Sequence, residues 1–117
     1  MDIITKYANE SYSDNRIRLA NNYPTRFTTN INGRTIAVHL HYNNIYNNWI
    51  VDFYEVQAND TEIPIVTGLA VLPFLNLLIS REYLGLGEFY IFPLSDYVSN
   101  EPSYYNMADQ FQIIWRY

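Results

Sequence analysis

Phe27-Thr28-Thr29-Asn30-Ile31-Asn32-Gly33-Arg34-Thr35-Ile36-Ala37-Val38-His39-Leu40-His41-Tyr42 is the stretch that decides the fold. Two alternating runs flank an Asn-Gly pair. Both residues tolerate the positive φ angles of a type I′ turn, the connection that matches the right-handed twist of paired strands. A two-residue turn fixes the register: Ile31 faces Arg34, Thr29 faces Ile36 and Phe27 faces Val38. One face then carries Phe27, Ile31, Ile36, Val38, Leu40 and Tyr42. The other carries Arg26, Thr28, Asn30, Thr35, Ala37, His39 and His41, so an inner and an outer face separate.

Working outward, Trp49 to Val56 reads as a third strand beyond the loop Asn43 to Asn48. Pairing Tyr42 with Trp49 extends the inner face through Trp49, Val51 and Phe53. Asp52 then lies opposite His39 on the outer face, with Arg26 on the far side of that histidine. A turn over Gln57 to Glu62 leads to a short strand, Ile63 to Gly68, with Pro64 at its start or on an edge because proline cannot donate to a ladder. Pro73 occupies a favoured first-turn position, and Phe74, Leu75, Leu77, Leu78 and Ile79 follow it. This predicts a helix to about Tyr83, apolar nearly all round and therefore buried, ending on Gly85 in a left-handed cap. Glu88 to Phe92 and Phe111 to Tyr117 complete the strands, the last with Phe111, Ile113, Trp115 and Tyr117 on one face.

Two segments stand outside this pattern. Residues 1–23 are polar and hold no sustained period, which predicts an N-terminal arm that is extended, or disordered until a partner orders it. Residues 93–110 form a long loop rich in Tyr, Ser, Asn and acid, a length that in compact domains marks function or mobility. The fold class expected is mainly β: an antiparallel sheet, small barrel or sandwich of about six strands with one short buried helix. The arm spans 1–23 and a single β domain 24–117.

Composition narrows the function. The chain has 117 residues, 49% hydrophobic, 17% aromatic and only 16% charged, with fourteen Asn and a single Lys, Lys6. Abundant Tyr with scarce Lys is the bias of interface cores. The net charge is −5 and the pI about 4.7, and the basic residues are scattered. No patch tracks a phosphate backbone, so specific nucleic-acid binding is disfavoured. There is no cysteine, which removes disulfides and thiolate metal sites. No apolar signal segment opens the sequence, and Leu69 to Ile79, interrupted by Pro73 and Asn76, is too short to insert in a membrane. Synthesis in a cytoplasm is expected.

Catalytic readings fare poorly. His39 and His41 share a face and, with Asp52, make half a metal site, but a fourth ligand is missing. Arg26, His39 and Asp52 are better read as a cross-strand charged row. With Thr28 nearby, the same pair suggests a nucleophile triad, yet an open sheet face offers no oxyanion hole. Asp52 and Glu55 point to opposite faces of one strand, while Glu101 and Asp109 sit in or beside the long loop, so no carboxylate pair converges. Gly85-Leu86-Gly87 follows the predicted helix instead of preceding it, the wrong order for cradling a phosphate. No cofactor is expected. Tyr97, Tyr104 and Tyr105, and Tyr12 in the arm, are the candidate interface residues, since tyrosine offers broad contact area with a polar tip. Asn32, Gly33, Arg26, His39, Asp52, Trp49 and Gly85 are expected to be structural.

The ordered set Gly33-Arg34-Thr35-Ile36, Leu40-His41-Tyr42-Asn43, Trp49-Ile50-Val51-Asp52-Phe53-Tyr54, Pro64-Ile65-Val66-Thr67-Gly68-Leu69 and Asn76-Leu77-Leu78 resembles the small domain of tailed-phage baseplate plug proteins. The resemblance covers residues 25–117. It implies a non-enzymatic virion protein of the tail baseplate, in the plug or hub region at the end of the tail tube, sealing or lining that tube until infection. It also implies other tail and baseplate proteins as partners, and an oligomeric state in the virion. The acidic charge suits such a part, because like charge repels passing DNA. A carbohydrate-binding or adhesin-type module, stacking sugars on Trp49 and the loop tyrosines, is the alternative.

Overall fold

A computed structural model describes residues 14–18, 25–93 and 111–117. Seven strands are present: β1 (Asp14–Arg18), β2 (Thr25–Ile31), β3 (Arg34–Asn43), β4 (Asn48–Val56), β5 (Glu62–Ala70), β6 (Glu88–Pro93) and β7 (Phe111–Arg116). They make two antiparallel sheets, one in the order β2-β3-β4-β5 and one in the order β1-β7-β6. The fold is mainly β, as expected, and of the architectures left open it is the two-sheet sandwich.

The opening hairpin forms as its sequence dictates. Asn32 and Gly33 take φ values of 51° and 82°, and the Asn30 side-chain oxygen accepts the Gly33 N–H at 3.0 Å. The register pairs Ile31 with Arg34, Thr29 with Ile36 and Phe27 with Val38. Beyond it, Tyr42 pairs with Trp49 and His39 with Asp52. The β4–β5 pairing is less regular, with register shifts on either side of Phe53. Gly68 answers the distortion with a φ of 76°, and its N–H finds the Asp52 carboxylate at 2.7 Å.

The second sheet is built around β7, which pairs with β1 on one side and β6 on the other. Phe111, Ile113 and Trp115 face the first sheet and meet Ile36, Val38, Leu40, Val51 and Phe53 in one core. Aromatic rings bridge the layers edge-to-face: Phe53 lies 5.2 Å from Phe89 and 5.6 Å from Trp115, and Phe27 lies 6.4 Å from Trp115. Such geometry adds about 0.5–1.5 kcal/mol per pair to simple burial. The Trp115 indole donates to the Leu86 carbonyl at 2.7 Å, so its polar atom is satisfied inside the core.

One expectation needs correction. The helix over 73–83 does not form; the connection from β5 to β6 is a series of turns ending in one 3₁₀ turn, Glu82–Leu84. Asn76 is the cause. Its side-chain oxygen accepts the N–H groups of Leu78 and Phe89, both at 3.0 Å, the local competition that makes Asn a turn former. The segment's own donors turn to β6, Leu77 N–H to the Phe89 carbonyl at 2.9 Å and Phe74 N–H to that of Ile91 at 3.4 Å. Phe74 and Ser80 accordingly adopt positive φ. Gly85 does take the left-handed cap, on the 3₁₀ turn. Beside the six strands read from the sequence stands β1, which pairs Ile17 with Ile113.

Candidate assembly surfaces

Ala37 and the polar residues around it form the outer face of the four-stranded sheet. Arg26, His39 and Asp52 occupy one cross-strand row, but their side chains do not join in a single chain of contacts. Glu62, which sequence reasoning left in a turn, connects two of them. Its carboxylate accepts Arg26 Nε at 2.8 Å and Nη2 at 2.6 Å, and stands 3.0 Å from His39 Nε2. The Arg26 bonds, then the His39 and Arg26 charges, hold the Glu62 carboxyl below the ordinary glutamate value against an opposing effect of burial. Asp52 instead meets His41, at 2.9 Å, while its other oxygen takes the Gly68 N–H. Tyr54 lies against His39 with ring centroids 4.7 Å apart. Burial, followed by the Asp52 and Glu62 charges, pushes its phenol up. Every carboxylate oxygen in this set serves a neighbour in the sheet.

The catalytic readings can be placed residue by residue. His39 and His41 turn to different carboxylates. Among the described residues no group of three or more His, Asp or Glu side chains is arranged to hold a metal ion, and no hydrogen bond joins Thr28 to either histidine. Glu55 bonds Arg34 Nε at 2.9 Å, and Arg34 Nη1 donates to the Leu84 carbonyl at 3.0 Å, tying the 3₁₀ turn to the sheet. Trp49 is buried at 1% exposure and packs on Tyr42, so it has no face to offer a sugar. Tyr12, Tyr97, Tyr104, Tyr105, Glu101 and Asp109 lie outside the described residues.

Apolar surface is the feature that sequence reading misplaced. Of the segment read as a buried helix, only Leu77 and Leu78 enter the core; Phe74, Leu75, Ile79 and Tyr83 are exposed, Tyr83 to 83%, as is Leu72 just before it. The chain leaves β5 beside Trp49, whose carbonyl accepts the Val71 N–H at 2.9 Å. Leu72 and Phe74 therefore start at the end of the sandwich that holds the β3–β4 turn. That turn displays Ile45 and Tyr46, 82% and 76% exposed. It is held rigid, since the Asn43 side chain accepts the Ile45 and Tyr46 N–H groups at 2.9 and 3.4 Å and Asn47 takes a φ of 52°. A preorganised turn presenting Ile and Tyr, and a run of five exposed apolar residues, are the composition of contact surfaces.

The far face of the three-stranded sheet is covered as well. Tyr90, Phe92 and Ile114 form a second apolar cluster, with the two rings stacked at 5.5 Å and 12°. All six residues of β7 are buried, including Gln112 and Arg116. The Arg116 guanidinium stands 3.8 Å from the Glu88 carboxylate. The unbroken apolar runs Phe89-Tyr90-Ile91-Phe92 and Ile113-Ile114-Trp115 carried this signal, because continuous apolar strands are covered on both faces.

A family model described as the cyanophage baseplate Pam3 plug gp18 matches residues 15–117, from the second residue of β1 to one residue past β7. No curated protein matches the chain.

Proposed function

The chain belongs to the family of the cyanophage baseplate Pam3 plug gp18, and from that premise we propose that it is a virion structural protein that works by assembly with other tail and baseplate proteins. Its place is the plug or hub region at the end of the tail tube, it is oligomeric there, it is made in the host cytoplasm, and it carries out no reaction and needs no cofactor. The observation that carries this reading is the exposed apolar run Leu72, Phe74, Leu75, Ile79 and Tyr83, together with the Ile45-Tyr46 turn. Neighbouring baseplate subunits are the partners that would remove this surface from water, at about 25 cal/mol for each Å² of apolar area. The arm 1–23 and the tyrosines Tyr12, Tyr97, Tyr104 and Tyr105 are proposed to add contacts once assembly begins. The net charge of −5 keeps the part from gripping DNA that passes it.

The test is made on phage carrying the double substitution Leu72→Ser and Phe74→Ser. Mass spectrometry of purified wild-type virions is expected to detect the protein. The variant, folded by circular dichroism, is expected to be depleted from particles and to lower the yield of infectious phage at least tenfold. Absence of the wild-type protein from virions, or full incorporation of the variant, would sink the proposal.

A further inference from the structure

The two sheets end on edges that are finished differently. On β5 the outer edge carries Pro64, which has no N–H, and Gly68 at positive φ beside two register shifts. A further strand cannot follow such an edge. On β6 the outward groups are occupied, with the Phe89 N–H held by Asn76 and the Phe89 and Ile91 carbonyls by Leu77 and Phe74. The remaining edge of the four-stranded sheet, β2, has none of these devices. It runs seven residues in unbroken register, without proline and without a bulge, and among the described residues it is paired on one side only.

Turn geometry says which groups face outward. A two-residue turn makes Ile31–Arg34 a hydrogen-bonded pair, and the alternation then assigns Thr29–Ile36 and Phe27–Val38 to the same class. The N–H and C=O groups of Arg26, Thr28 and Asn30 therefore point away from β3. All three residues are exposed, and among the described residues these backbone groups meet no partner.

We propose that β2 is a self-association edge, on which a second copy of the chain adds its own β2 antiparallel with Thr28 on the two-fold axis, joining two four-stranded sheets into one of eight strands. The strand is complementary to itself in this register. Thr28 would face Thr28 of the second copy, a favourable cross-strand pair, and Arg26 would face Asn30. No two like charges stand opposite each other, and each Arg26 is already matched by Glu62 of its own copy. On the inner face the half-buried Phe27 would lie against Thr29 of the second copy. An isologous contact of this kind closes at two copies and leaves no free β2 edge behind.

This goes beyond the virion proposal and names the surface for one step of oligomerisation; it is read on the purified protein, so either idea can fail alone. Analytical ultracentrifugation across micromolar to submillimolar concentrations is expected to show a monomer–dimer equilibrium, with the Thr28 and Asn30 amides exchanging more slowly as the dimer fills. Thr28→Pro removes an N–H that β3 does not use and is expected to weaken self-association at least tenfold. Thr28→Lys sets two cations on the axis without altering the backbone and is expected to do the same while keeping the wild-type melting temperature. A wild-type protein that stays monomeric throughout overturns the proposal. So does a dimer that survives both substitutions but dissolves in Leu72→Ser with Phe74→Ser.

Discussion

Gly87 and Gly33 both sit at positive φ, 79° and 82°, yet they tolerate change very differently. A Cβ on Gly87 would land on the Arg116 carbonyl oxygen and also press on the Arg116 carbonyl carbon and Tyr117 Cα, at 3.0 and 3.1 Å. Those are backbone atoms in and just beyond the central strand β7 and cannot rotate away. Gly87→Ala is therefore expected to cost about 3 kcal/mol or more. A Cβ on Gly33 meets nothing within 4 Å, so Gly33→Ala carries only the left-handed penalty of about 1–2 kcal/mol; urea denaturation of the two variants checks the difference. Glu62 makes the other residue-scale prediction. Its carboxyl titrates lower in the fold than in the unfolded chain, so its contribution is complete above the ordinary glutamate range. It is lost as pH falls below about 4.3 and through the depressed folded value. Melting temperatures of Glu62→Gln are expected to lie below wild type near neutrality and to converge with it in acid.

Asn76 acts at the scale of an element. By accepting two N–H groups, its side chain keeps the 71–85 connection out of a helix and pins it along the β6 edge. Asn76→Ala removes both bonds and leaves the Leu78 and Phe89 donors without that acceptor, at a cost of about 1–3 kcal/mol. Thermal unfolding is the check, with hydrogen exchange at Phe89 as the local one. The first three strands were legible because Asn32-Gly33 sets a register that every later residue must obey. The 73–83 segment was not, because its Leu and Ile content reports a demand for burial without saying what satisfies it. The demand was assigned to the core, whereas the structure turns Phe74, Leu75 and Ile79 outward. Glu62 was missed for a related reason. Register places Arg26 and His39 in a row, but long side chains reach diagonally, and a bulged neighbour moves the carboxylate that meets them.

On the scale of the whole molecule, the rings of Phe53, Phe89 and Trp115 make one contact set across the two layers. Tyr117 adds a polar bond outside it, its hydroxyl 2.8 Å from that of Thr29. Phe53→Ala is expected to cost about 3–5 kcal/mol. Because both sheets contribute to this one core between the layers, the far- and near-ultraviolet circular dichroism transitions of this variant should still coincide. The order of the second sheet, β1-β7-β6, has a kinetic side. Strands β2 to β5 pair strictly with their sequence neighbours, so each contact closes a short loop and costs little entropy. Strand β1 pairs with β7, nearly the full length of the chain away. The meander is thus expected to form in an early phase, and docking of Asp14–Arg18 to set the slow one. Pulse-labelled exchange should find the Phe27 and Val38 amides protected before those of Asp14–Arg18. If β1 amides are protected first, this ordering is wrong. Until β6 and β7 pack across it, the meander holds its apolar face open to solvent, and that interval is when a newly made subunit is most exposed to aggregation.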